Sequence, residues 1–65
     1  MNKKELEELG FRKVYTGLEL NLNNELSLEI WLSEPFITLF INGQFTELTN
    51  VNTIEKVKQL IELLK

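Results

Sequence analysis

Hydrophobic residues along this chain change period twice. Near the start, Leu6 and Leu9 share a helical face behind Asn2 and Glu5, which have capping-box spacing. Gly10 follows at once and suits the left-handed position that ends a helix; Phe11 is then set to touch Leu6. A helix this short depends on tertiary contacts. From Val14 the period becomes two, with Val14, Thr16, Leu18, Leu20 and Leu22 on one face and Tyr15, Gly17, Glu19 and Asn21 on the other. A second alternation sets Leu26, Leu28, Ile30 and Leu32 against Ser27, Glu29 and Trp31. Ser33-Glu34-Pro35 breaks it, since proline lacks a ladder donor. In the next run, "FITLFINGQFTEL", Asn42-Gly43 sits between β-formers, the strongest short-range hairpin signal. The closing segment returns to helical period. Ile54, Val57, Leu60, Ile61 and Leu64 form one stripe, capped by Asn52 with Glu55 or by Thr53, and Lys65 suits the C-terminal dipole.

The predicted order is α-β-β-β-β-α. This is a single α+β domain over residues 1–65, a four-stranded antiparallel meander with a short N-terminal and a longer C-terminal helix packed on one face. Parity fixes the first register. A two-residue Asn23-Asn24 turn would place leucines opposite Ser27 and Asn21, mixing the faces. A three-residue loop, Asn23-Asn24-Glu25, pairs Leu22 with Leu26, Leu20 with Leu28 and Leu18 with Ile30. Such loops need a left-handed residue, which Asn tolerates. A four-residue connection from Ser33 to Phe36 would set Leu32 against Ile37. The helix-covered core is then expected to hold these aliphatics together with Leu39, Ile41 and Leu48.

The opposite face carries a second apolar set: Trp31, Phe40 and Phe45, with Phe36 near one end and Tyr15 as a further candidate. Phe40 and Phe45 are direct cross-strand partners in the Asn-Gly hairpin. Gly17 falls opposite Trp31, whose ring is placed to cover the glycine backbone. Glu19, Glu29 and Glu47 lie among the aromatics. Glu19 and Glu29 face each other, a like-charge pairing that asks for a reason. One face is enough to build a core, so the second is the candidate interaction surface.

Size and composition narrow the chemistry. A chain of 65 residues buries only about 60% of the surface its unfolded form exposes, so such domains lean on packing or self-association. There is no Cys, His or Asp, which removes disulfides and the usual zinc, calcium and non-haem iron ligand sets. No cofactor is expected. Ser and Thr have no His to activate them, and a Glu19–Glu29 pair on an open strand face lacks a cleft to exclude water, so no catalysis is expected either. Seven Lys plus Arg against ten Glu give a net charge of −3. The cations are scattered, and Arg12-Lys13 reads as a solvated strand edge, so direct nucleic-acid binding is not expected. The charged N-terminus and the lack of a long apolar run give the expectation of a soluble, cytoplasmic protein that does not engage membranes.

Two partners fit the second face. Trp31, Phe40 and Phe45 can anchor a basic protein that Glu19, Glu29 and Glu47 steer, or the same face can pair with itself in a homodimer. The frame "KKELEELGFRKVY", the alternating leucine-rich sheet and the closing "NVNTIEKVKQLIELL" resemble small orphan proteins carried by phages and mobile elements of AT-rich bacteria. The absence of Ala beside abundant Asn, Lys and Ile fits such a source through the genetic code. Some of those proteins are anti-CRISPR inhibitors, compact and often acidic. The resemblance implies a non-enzymatic inhibitor that binds a host protein such as a basic, nucleic-acid-binding CRISPR nuclease effector. It carries over no site residue.

Overall fold

The first turn of helix is shaped by its two ends. In the computed structural model, which describes residues 1–31 and 33–64, α1 runs Lys3–Glu8 and its cap Asn2 accepts the Lys4 N–H at 2.8 Å through Oδ1. At the other end Gly10 has φ 108°, the Gly10 N–H donates to Glu7 C=O and the Phe11 N–H to Leu6 C=O. This is the Schellman pattern expected from Leu6, Gly10 and Phe11. It drives Leu6 and Phe11 together into the core, where both are buried.

The sheet has five antiparallel strands in sequential order: β1 (Arg12–Val14), β2 (Gly17–Asn21), β3 (Leu26–Trp31), β4 (Ile37–Ile41) and β5 (Gln44–Leu48). The α+β class and antiparallel meander are as expected, but the strand count is not. The alternation from Val14 to Leu22 is not one strand. It folds back at Tyr15-Thr16, pairing Val14 with Gly17, Lys13 with Leu18 and Arg12 with Glu19. Gly17 makes the corner possible. A Cβ there would lie 2.0 Å from the Ile30 carbonyl oxygen, so only hydrogen fits against β3. Val14 therefore belongs with Gly17 on the outer face, not with Leu18.

Strands β2 and β3 pair in the expected register, Leu20 with Leu28, Leu18 with Ile30, Glu19 with Glu29 and Gly17 with Trp31. The Asn23-Asn24-Glu25 loop closes differently from expectation. Among the described residues the one non-glycine with positive φ is Asn42, so no left-handed Asn is used here. Instead Asn23 Oδ1 accepts the Glu25 N–H at 2.9 Å, an Asx-turn that does the same work. Between β3 and β4 the register is offset by two residues. Ile30, not Leu32, pairs with Ile37, and Leu32 lies outside the described residues. Because the offset is even, every side chain keeps its face. The Asn42-Gly43 hairpin pairs Phe40 with Phe45 and Ile41 with Gln44, with φ 53° and 82° at the two turn residues, as a type I′ turn requires.

The C-terminal helix α2 (Ile54–Leu64) starts on Thr53, whose hydroxyl accepts the Lys56 N–H at 3.3 Å. Its predicted partner for the terminal dipole, Lys65, lies outside the described residues. Val57 and Ile61 enter the core with Leu6, Phe11, Leu18, Leu28 and Ile37. Leu20, Ile30, Leu39 and Leu48 pack around them. Ile41 does not join: at the hairpin end it stays 47% exposed, beyond the reach of the helices.

Candidate functional site

The register places the outer-face residues in lateral rows. One row crosses the whole sheet: Arg12, Glu19, Glu29, Thr38 and Glu47. A second contains Asn21, Ser27, Phe40 and Phe45, and a third Val14, Gly17 and Trp31. The nominated residues Trp31, Phe40, Phe45, Glu19, Glu29 and Glu47 thus all belong to one face. Tyr15 does not join the cluster; it tips the β1–β2 turn and is almost wholly exposed.

Trp31 and Phe45 sit in different rows and two strands apart, yet their ring centroids are 5.9 Å apart at 54°. Phe40 and Phe45 are also 5.9 Å apart, at 37°. Tilted contacts of this kind contribute about 0.5–1.5 kcal/mol each beyond the area they bury. The Trp31 ring therefore leans across β4 towards Phe45, not back over Gly17. The diagonal from Trp31 to Phe45 passes over Thr38, the β4 residue of the row that lies between theirs. Thr38 is fully buried, and its Oγ1 is the one buried side-chain polar atom without a hydrogen-bond partner among the described residues. The aromatics thus form a lid, and beneath it the outer face has a small dry core of its own. Sequence parity put Thr38 on this face; the reach of Trp31 across two strands left no signal in the pattern.

Engagement of the carboxylates answers the Glu19–Glu29 conflict. Glu19 accepts a hydrogen bond from the Arg12 guanidinium at 3.0 Å, with Arg12 supplied by the edge strand that the sequence reading did not separate. Glu29 turns the other way and accepts the Trp31 indole N–H at 2.9 Å. Each carboxylate has its own donor, so the two need not point at each other, and the Glu29 bond also fixes the lean of the indole. Glu47 is exposed and has no side-chain partner among the described residues. Arg12 neutralises Glu19, whereas the indole N–H leaves the charge of Glu29 in place. The net negative charge of the face therefore rests on Glu29 and on Glu47, the latter next to Phe45, which is 57% exposed.

No family model, curated protein or solved structure matches this chain. Chemistry must therefore be read from the residues themselves. An open cleft of about 500 Å3, absent from the sequence-based picture, lies at the Tyr15 end of the sheet between Lys3, Tyr15, Trp31 and Pro35. Glu19 and Glu29 do not line it. Among the described residues no three acidic groups stand close enough to hold a metal ion, and no helix is long and apolar enough to cross a membrane. The outer face offers anchors and charge, the means of recognition.

Proposed function

We propose that this protein is a non-enzymatic binding module that receives a basic protein surface on the outer face of its sheet. The observation that carries the reading is the exposed Phe45 ring, held by Trp31 and Phe40 and bordered by the unpartnered Glu47. A rigid, partly exposed aromatic beside a charge is the composition of an interface hot spot, since little side-chain entropy is left to lose on binding. Net charge −3 favours a cationic target and speeds encounter with it. The basic groove of a nucleic-acid-handling host protein, such as a CRISPR nuclease effector, has the complementary chemistry, in keeping with the phage-inhibitor resemblance.

Affinity capture from bacterial lysate tests this with three baits: wild type, Phe45→Lys and Leu63→Lys. Leu63 is 82% exposed on α2, away from the face, and serves as the control for a surface apolar-to-cationic change. A basic protein held by wild type and Leu63→Lys and lost from Phe45→Lys is expected. Equal capture by all three baits removes the face from consideration. A dimer in analytical ultracentrifugation that Phe45→Lys dissociates replaces the reading with self-association.

A further inference from the structure

We infer that the partner is held by strand addition: β5 takes an extended, basic segment as a sixth strand. The inference rests on the binding reading above and adds the mode of capture. The two edges of the sheet are built differently. β1 has only three residues, with Arg12 and Lys13 exposed, the short charged edge that discourages pairing. β5 has five residues, Gln-Phe-Thr-Glu-Leu, in unbroken register with β4, without Lys, Arg, Pro or a bulge, and exposed along all but Leu48.

The direction of its free polar groups follows from one bond. The Asn42 N–H donates to Glu25 C=O at 2.9 Å, on the β3 side, so even-numbered residues of β4 face β3 and odd-numbered ones face β5. Ile41 and Leu39 then face Gln44 and Thr46 in the hydrogen-bonding positions of the ladder, while at its end the Ile37 N–H donates past Leu48 to Val51 C=O at 3.1 Å. The N–H and C=O groups of Phe45 and Glu47 point out from the sheet, unused by the ladder. Their side chains lie on the aromatic-acidic face. A strand added here continues two rows at once, with one residue beside the exposed Glu47 carboxylate and another, two positions along, beside the Phe45 ring.

Charge decides between occupants. The row ending at Glu47 already carries Glu19 and Glu29 and only one cation, Arg12 at its far end, so the next position calls for Lys or Arg. A second copy of β5, paired antiparallel about Thr46, would set each Glu47 beside a Phe45 ring and supply no cation. A basic segment with the pattern Lys-x-apolar fits both rows.

The test uses the full chain and a capped synthetic peptide, Thr-Lys-Thr-Val-Thr, with Thr-Glu-Thr-Val-Thr as its counterpart. Amide resonances and hydrogen exchange are followed by NMR up to millimolar peptide. Expected are shifts centred on the Phe45 and Glu47 amides, with exchange of those two slowed about fivefold or more. The Glu peptide should bind about 2- to 30-fold more weakly, the range spanned when an attractive cross-strand charge pair becomes a repulsive one. Glu47→Lys should reverse the preference between the peptides. The inference is overturned by absence of shifts, by shifts centred on Arg12–Val14, by equal binding of both peptides, or by the same two amides shifting on dilution without peptide. Shifts at Trp31 and Phe40 with the Phe45 and Glu47 amides unmoved also overturn strand addition, but leave the face reading intact. The face reading fails only on the capture experiment.

Discussion

Replacing Thr38 by Val probes the lid directly. The two side chains have nearly the same shape, and Val gives up nothing in strand preference. What changes is one hydroxyl, fully buried and without a hydrogen-bond partner among the described residues. Protein mutational data set the cost of burying such a group at about 1–3 kcal/mol. Allowing for some relaxation around the new methyl, Thr38→Val should stabilise the fold by about 1–2 kcal/mol. For a domain of this size each kcal/mol moves the melting temperature by about 4–8 °C. In urea, with a slope near ~1 kcal/mol/M for the smallest domains, the midpoint should rise by about 1–2 M at unchanged slope. Trp31 is the sole tryptophan and part of the lid, so its fluorescence reports the transition, with far-UV circular dichroism as the second probe. An unchanged or lowered midpoint refutes the dry lid. A cycle sharpens the test: in a Trp31→Ala background the hydroxyl meets water, and the gain from Val should disappear. If the gain persists there, Trp31 is not what covers Thr38.

Other perturbations follow from the same geometry. Gly17→Ala drives a Cβ into the Ile30 carbonyl and should cost about 2–4 kcal/mol, enough to unfold much of a marginal domain, as circular dichroism at 25 °C will record. Arg12→Gln removes the donor of Glu19 while Glu29 still faces it; the loss should be about 0.5–1 kcal/mol in low salt, shrinking as NaCl screens the carboxylates in matched urea titrations. Asn2→Ala deletes the α1 cap and should cost about 1 kcal/mol, visible as faster exchange of the Lys4 and Glu5 amides.

Local rules carried most of the fold because each concerned neighbours in sequence. Gly10 followed by Phe11 announced the helix stop, Asn42-Gly43 the hairpin, and leucine parity across Asn23-Asn24-Glu25 the β2–β3 register. The departures arise where alternation is blind. A two-residue turn inverts the parity of the faces, but only three residues of β1 precede it and apolar Val14 fits the even-numbered run by coincidence. Val14 to Leu22 therefore reads as one strand although Tyr15-Thr16 bends it into two. A register offset of two keeps every face and leaves no trace in the pattern, which is how Ile37 came to pair with Ile30. Ile41 satisfies the inward parity yet lies past the helices, a matter of helix length and placement in three dimensions. All six candidate site residues were legible as one face; the partners that Glu19 and Glu29 find were not, because Arg12 and the lean of Trp31 come from the parts that alternation misses.

The lid changes what the second apolar face is for. Were the aromatics merely displayed, Trp31→Ala would be the natural test of binding, removing an anchor and sparing the fold. But Trp31 is half-buried, tied to Glu29, and packed on Phe45 across a buried Thr38, so its truncation opens the outer core and disturbs every neighbour at once. Its loss should cost about 2–3 kcal/mol, near the low end of a core Trp truncation because the residue is only partly buried. Phe45→Lys sheds only the outer rim of the lid, since more than half of that residue is already in water. The two variants therefore separate roles that composition alone merges. Urea titration should rank Trp31→Ala well below Phe45→Lys in stability, and capture should fail for Phe45→Lys while it is still folded. If the ranking is reversed, Phe45 is the structural residue, and the binding surface has to be sought at Trp31 instead.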